Sequence, residues 1–200
     1  MNLEHPEVHR LIDICEIKGG GTPDTRESEY WGGEIPWITS ADIDAQNEIT
    51  FRRKVTQKGI TNSSANLVPK GSIIVVTRVG LGKVAIAPFD LAHSQDSMGL
   101  YFDKEKIIPE FLAWQIKKIA QHFILQAQGT TINGITKNVL KEQLVWIPAK
   151  DVQVRIIEKL SEDLDSVNQS EELVSNILRD IMLLKFAMMK EAFIPEEAGE

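Results

Sequence analysis

Few residues in this chain have the types and spacing that chemistry needs. Gly80-Leu81-Gly82-Lys83 sets a lysine behind two glycines, in the manner of a phosphate-cradling loop. The upstream glycine of a nucleotide-triphosphate loop is missing, and Val84 rather than Ser or Thr follows the lysine, so the segment fails that test. The four histidines, His5, His9, His93 and His122, lack metal-ligand spacing, and the single cysteine, Cys15, excludes an internal disulfide framework and a cysteine-built zinc site. Asp103-Lys104-Glu105-Lys106 superficially resembles a nuclease carboxylate cluster but reads better as a solvated turn after a strand. There is no dinucleotide fingerprint, no nucleophile-elbow serine, and no Asn-Pro-Pro or Asp-Pro-Pro segment of the kind amino-methyltransferases use. The expectation is a chain that is not an enzyme by itself, with no catalytic residue, no metal and no cofactor. What remains are four basic stretches, three of them carrying glycine: Lys18 to Arg26, Arg52-Arg53-Lys54, Arg78 to Lys83 and Gly129 to Lys137.

The elements that position them follow from composition and pattern. The chain has 200 residues, 42% hydrophobic and 26% charged, enough for one domain with a core plus an appendage. Its net charge of −7 hides a split: residues 1–150 carry 17 basic and 17 acidic side chains, residues 151–200 carry 5 and 12. A neutral front region is less basic than a nucleic-acid reader usually is. The start of the chain is polar and acidic, unlike a signal peptide, and no apolar run approaches the roughly 18–20 residues of a membrane span. A cytoplasmic protein without a membrane partner is expected.

Residues 1–150 read as a compact α+β domain with a mixed sheet. Short strands are expected at Ile12 to Ile17, Ile35 to Thr39, Ile73 to Thr77, Lys83 to Ala87 and Met98 to Phe102, with a capped turn at Ser40-Ala41-Asp42-Ile43 and a polar loop from Gln57 to Asn66. A helix starts at Pro109, with Leu112, Ile116, Ile119 and Phe123 on one stripe, and Gly129 as its stop. Trp31, Trp37, Trp114 and Trp146 are assigned to the core rather than to stacking platforms, and Trp146-Ile147-Pro148 closes the domain.

From Asp151 to Ile194 there is neither Gly nor Pro. Ile157, Leu160, Leu164, Val167, Val174, Leu178, Ile181 and Met188 fall on a heptad seam, interrupted at Glu171 and Lys185. A helix of that length spans about 65 Å, too long to bury its stripe on its own domain. An antiparallel coiled coil with a partner is expected over 151–195, with 196–200 as a tail; Glu171 and Lys185 would pair across a dimer.

Several segments then combine. Ile14-Cys15-Glu16-Ile17-Lys18-Gly19-Gly20-Gly21-Thr22-Pro23 is followed by Tyr30-Trp31-Gly32-Gly33-Glu34-Ile35-Pro36-Trp37-Ile38, then by Thr77-Arg78-Val79-Gly80-Leu81-Gly82-Lys83, Gln128-Gly129-Thr130-Thr131-Ile132-Asn133-Gly134-Ile135 and Val145-Trp146-Ile147-Pro148. In this order, with a long helix behind, the chain resembles the specificity subunit of type I restriction–modification systems over roughly Leu11 to Pro195. The resemblance implies a target recognition domain that reads double-stranded DNA, and a spacer helix that docks methyltransferase (modification) subunits and, through them, the restriction subunit. The family's usual chain has two recognition domains and two antiparallel helices. This sequence shows one of each and no internal repeat, so it is like a half-subunit or a fragment, and a half-subunit would form a homodimer on a palindromic split target.

With DNA as the implied ligand, residue types nominate contacts. Arg and Lys suit guanine and phosphate, Asn and Gln suit adenine. The nominated residues are Lys18, Thr22, Arg26, Arg52, Arg53, Lys54, Arg78, Lys83, Thr130, Thr131, Asn133 and Lys137, with Arg78 first among them. Each basic loop is equally readable as a solvated face or a shape-setting turn. The competing function is a coiled-coil interaction or decoy fragment that has lost DNA binding.

Overall fold

The computed structural model describes residues 8–127 and 134–193. In chain order the elements are β1 (Val8–Arg10), α1 (Leu11–Ile14), β2 (Cys15–Gly19), β3 (Trp31–Ile38), β4 (Arg53–Val55), α2 (Gln57–Thr61), β5 (Leu67–Val68), β6 (Ile73–Val76), β7 (Val84–Ile86), β8 (Leu91–His93), β9 (Ser97–Phe102), α3 (Pro109–Ala127), α4 (Lys137–Lys141), β10 (Leu144–Trp146) and α5 (Lys150–Phe193). The class is α+β, as expected. The chain divides into two compact units, 1–154 and 155–200.

The first unit is built on two four-stranded sheets. One is antiparallel, in the order β2-β9-β6-β7; the other, β4-β3-β8-β5, is mixed because β3 and β8 run parallel. The run Ile73-Ile74-Val75-Val76 explains how they share a core. All four side chains are buried. Alternation along the strand sends Ile73 and Val75 to a cluster with Leu112 and Ile116 of α3, and Ile74 and Val76 to a second cluster with Ile38 and Leu91 of the mixed sheet. A strand covered on both faces needs an unbroken apolar run, and this sequence supplies one. β10 returns to pair antiparallel with β1 and closes the unit.

Several expectations change. The stretch from Ile12 to Ile17 is not one strand: Leu11–Ile14 makes a helical turn, held by the Leu11 N–H donating to Gln143 O at 2.9 Å, and the strand starts at Cys15. The loop expected from Gln57 holds α2, because Thr56 caps it by accepting from the Gly59 N–H at 3.0 Å. The capped turn expected at Ser40-Ala41-Asp42-Ile43 is present over Ser40–Asp42, with Thr39 as its cap. Of the four tryptophans only Trp37 is fully in the core. Trp31 and Trp146 are half-buried, and Trp114 lies at the surface with the Lys117 ammonium over its ring, 5.1 Å from the centroid. The Gly129 stop lies outside the described residues.

The long helix begins at Lys150. Its first turn belongs to the first unit, anchored by the fully buried Gln153. The Gln153 side chain donates to Lys106 O at 2.9 Å and Pro148 O at 2.8 Å, and accepts from the Ile108 N–H at 2.9 Å. In the second unit, Lys159 pairs with Asp163 at 2.8 Å along the helix. Of the seam, Ile157 and Leu160 are half-buried, while Leu164, Val167, Val174, Leu178, Ile181 and Met188 are exposed. Among the described residues no helix is long and apolar enough to cross a membrane.

Candidate nucleic-acid interface

Sheet register gathers the basic loops at one place. Gly19 stands opposite Met98, Val76 opposite Ser97, Val75 opposite Val84, and Ile38 beside His93. The exits of β2, β3, β6 and β8 and the entries to β7 and β9 therefore share one end. Backbone bonds tie those loops together: Gly20 N–H to Ser97 O at 3.2 Å, Gly21 N–H to His93 O at 2.8 Å, Thr77 N–H to Asp96 O at 2.8 Å, and Ile135 N–H to Thr77 O at 2.8 Å. Glycine is obligatory at two of these joints. A Cβ on Gly20 would sit 2.2 Å from Ser94 O, and one on Gly134, whose φ is 124°, would sit 2.4 Å from Thr77 O.

The nominated side chains then separate. Thr22 donates to Gln95 Oε1 at 2.6 Å, joining the glycine loop to the β8–β9 loop. Arg26 lies against Asp24 at 2.7 Å, and the guanidinium holds the Asp24 carboxyl down at about 2. Arg52 donates through Nε to Asp42 Oδ1 at 2.6 Å. Burial pushes the Asp42 carboxyl up, but Arg52 and two Thr39 donors outweigh it, so it stays below the usual carboxylate range. The Arg53 guanidinium stacks 3.5 Å from the Trp31 ring centre. Arg78 is exposed at the exit of β6, its side chain without an ion pair or hydrogen bond among the described residues, and its backbone N–H donates to Asp96 O at 3.2 Å.

Other nominations sit less well. The Lys83 ammonium donates to the carbonyls of Ser40, at 2.9 Å, and Ile43, so it ties the β3 exit to β7. Lys18 pairs with Glu16 at 3.1 Å and leans over the Tyr101 ring, and Lys54 reaches Glu34 at 4.0 Å. Lys137 opens α4 behind its cap Thr136. Thr130, Thr131 and Asn133 lie outside the described residues. Sequence reasoning passed over His93, which is completely buried beneath the glycine loop. Its Nδ1 lies 2.8 Å from Ser97 Oγ, its Nε2 has no partner among the described residues, and burial lowers its pKa to about 4. It also passed over Asp42, Gln95 and Asn47; the last has φ 67°, which a lone Asn in a polar loop does not announce.

The arrangement holds no group of three or more His, Cys, Asp or Glu that could bind a metal among the described residues. What it offers is a set of exposed guanidinium groups and backbone amides on tied loops. The family model for the type I restriction modification DNA specificity domain matches residues 4–176. The chain belongs to that family. It is 31% identical over 186 residues to the type I restriction enzyme MjaIX specificity subunit of Methanocaldococcus jannaschii, covering 90% of this chain and 42% of that one. It is 27% identical over 184 residues to the EcoR124I/EcoR124II specificity subunit of Escherichia coli, covering 88% and 45%. A chain from a solved structure concerned with assembly and conformational transition of the type I R-M system superposes with a TM-score of 0.75 at 18% identity, over 96% of this chain and 47% of the other, which supports the fold. The chain thus spans less than half the length of the curated relatives it matches.

Proposed function

We propose that this specificity-family chain reads one half of a bipartite DNA target and directs the methyltransferase and endonuclease subunits of a type I system to it, while catalysing nothing itself. Residues 1–150 would read the bases, and 151–195 would act as spacer and dimerisation helix. The observation that supports the reading is that Arg52 and Arg53, at the entry to β4, lie beside the β3 exit, and Arg78 lies at the β6 exit, where backbone bonds tie the strand ends of the two sheets together. Guanidinium groups on a rigid scaffold suit phosphate positioning and base-edge hydrogen bonding. The exposed seam from Leu164 to Met188 supports a second copy as partner, and two-fold symmetry would make the target palindromic.

Co-expression with the cognate modification subunit, followed by methylation mapping, tests this. A split symmetric motif is the expected result; an asymmetric motif argues against the homodimer. Binding of the isolated chain to duplex DNA should fall steeply with salt. A chain that neither binds DNA nor supports methylation would fit the interaction or decoy reading instead.

A further inference from the structure

We infer that Arg52 and Arg53 are guanine-reading residues, the first held by a buried carboxylate and the second by a tryptophan platform. The inference rests on the DNA-reading proposal and goes further, because it assigns base specificity to two side chains and a base to the target.

Asp42 is the starting point. Its side chain is only 5% exposed, and a buried carboxylate is retained only when it is well paired. One oxygen, Oδ2, accepts from the Thr39 N–H at 2.9 Å and the Thr39 hydroxyl at 2.8 Å. The other, Oδ1, accepts from Arg52 Nε. The Arg52 side chain is itself 70% exposed. The carboxylate thus fixes the inner edge of an exposed guanidinium and leaves both Nη groups for a ligand. Guanine shows O6 and N7 side by side in the major groove, the acceptor pair that such a fork fits.

Arg53 is oriented by different means. Trp31 and Trp37 meet edge to face at 5.2 Å, and each indole N–H donates to the glycine-loop backbone, Trp31 to Asp24 O at 3.1 Å and Trp37 to Gly21 O at 3.0 Å. The clamped Trp31 ring occupies one face of the Arg53 guanidinium and leaves its N–H edge free. Arg52 and Arg53 line one surface depression with Trp37, Thr39 and Asp42. The other cations differ. Lys83 is spent on carbonyls, Arg26 gives both Nε and Nη2 to Asp24, and among the described residues Arg78 has no such support. Orientation before binding is what a base reader needs and a phosphate contact does not.

The test is selection from a randomised duplex pool by the full chain at low salt, with sequencing of the bound fraction, for wild type, Arg52→Lys, Arg53→Lys and Asp42→Asn. The wild-type motif should contain guanine, and each variant should lower the guanine preference at one position roughly tenfold to a hundredfold while other positions stay fixed. A motif without guanine overturns the inference, as does an unchanged motif with a uniform loss of affinity, the mark of phosphate contact. Should Asp42→Asn unfold, the two lysine variants still decide, since both arginines are exposed and keep their charge. A wild-type chain that selects no motif sinks the DNA-reading proposal along with this one; a motif indifferent to all three variants sinks this one alone.

Discussion

Leu112 and Leu178 are the same residue on helical apolar stripes, and they meet opposite fates. Leu112 is fully buried against Ile73 and Val75, whereas Leu178 is 57% exposed. The first unit supplies its own cover: the antiparallel sheet passes under α3, and both faces of β6 are packed. Among the described residues the second unit is one helix, with no other element of its own to lay on it. Apolar periodicity therefore specifies a need for burial, not the surface that meets it.

The strongest way to break the contrast is to charge the seam. Leu178→Glu together with Ile181→Glu puts two carboxylates where a dimer would be dry, which costs several kcal/mol in an apolar interface. Sedimentation should show a dimer turning into a monomer at micromolar concentration, while thermal unfolding of the first unit is unmoved. A double variant that still sediments as a dimer would place the interface elsewhere. The matching change in the first unit is Leu112→Ala. It should lower stability in denaturant unfolding by about 2–5 kcal/mol with no effect on association. A loss below about 1 kcal/mol would mean that α3 is less firmly packed than its buried stripe implies.

This contrast also explains how much was legible from the chain alone. The apolar run at Ile73, the helix from Pro109 and the long helix behind Asp151 all declare themselves, because each depends on a pattern local to its own segment. β8 does not. Its three residues form a strand because β3 and β5 flank them, and Leu91-Ala92-His93 carries no alternation to read. The site divides in the same way. Residue type nominated Arg52 and Arg53, but their supports, Asp42 and Trp31, are 10 and 22 positions away and are known only once β3 and β4 pair. Lys83 was nominated on the same grounds, and packing gave it a carbonyl-binding role that its flanking glycines do not reveal.

A smaller, pH-dependent effect should also sort the two units. His93 titrates near 4 when folded, against 6.5 ordinarily. Below pH 6.5 the unfolded chain takes up a proton that the folded chain refuses, so folding stability falls as pH drops from 6.5 to 4 and levels off beneath that. The loss is about 3 kcal/mol at most. It belongs to the first unit, so the unfolding of a His93→Gln variant should lose most of its slope in that window. An unchanged slope would assign the proton to another group.

The smallest effect on stability falls on the residue nominated first. Arg78 is exposed on the β6–β7 loop, and its backbone N–H, not its side chain, makes the bond to Asp96. Arg78→Ala should leave thermal unfolding within about 0.5 kcal/mol of wild type. Its DNA affinity should weaken alike on all sequences, and the dependence of log affinity on log salt should lose about one unit of slope, as expected for a phosphate contact. Anisotropy titrations at several salt concentrations measure both quantities. If the variant instead relaxes one position of the motif, Arg78 reads a base, and a side chain needs no neighbouring carboxylate or ring to be specific at this end of the fold. If affinity and slope do not move, the interface stops short of the β6–β7 loop and rests on the loops around Arg52 and Arg53.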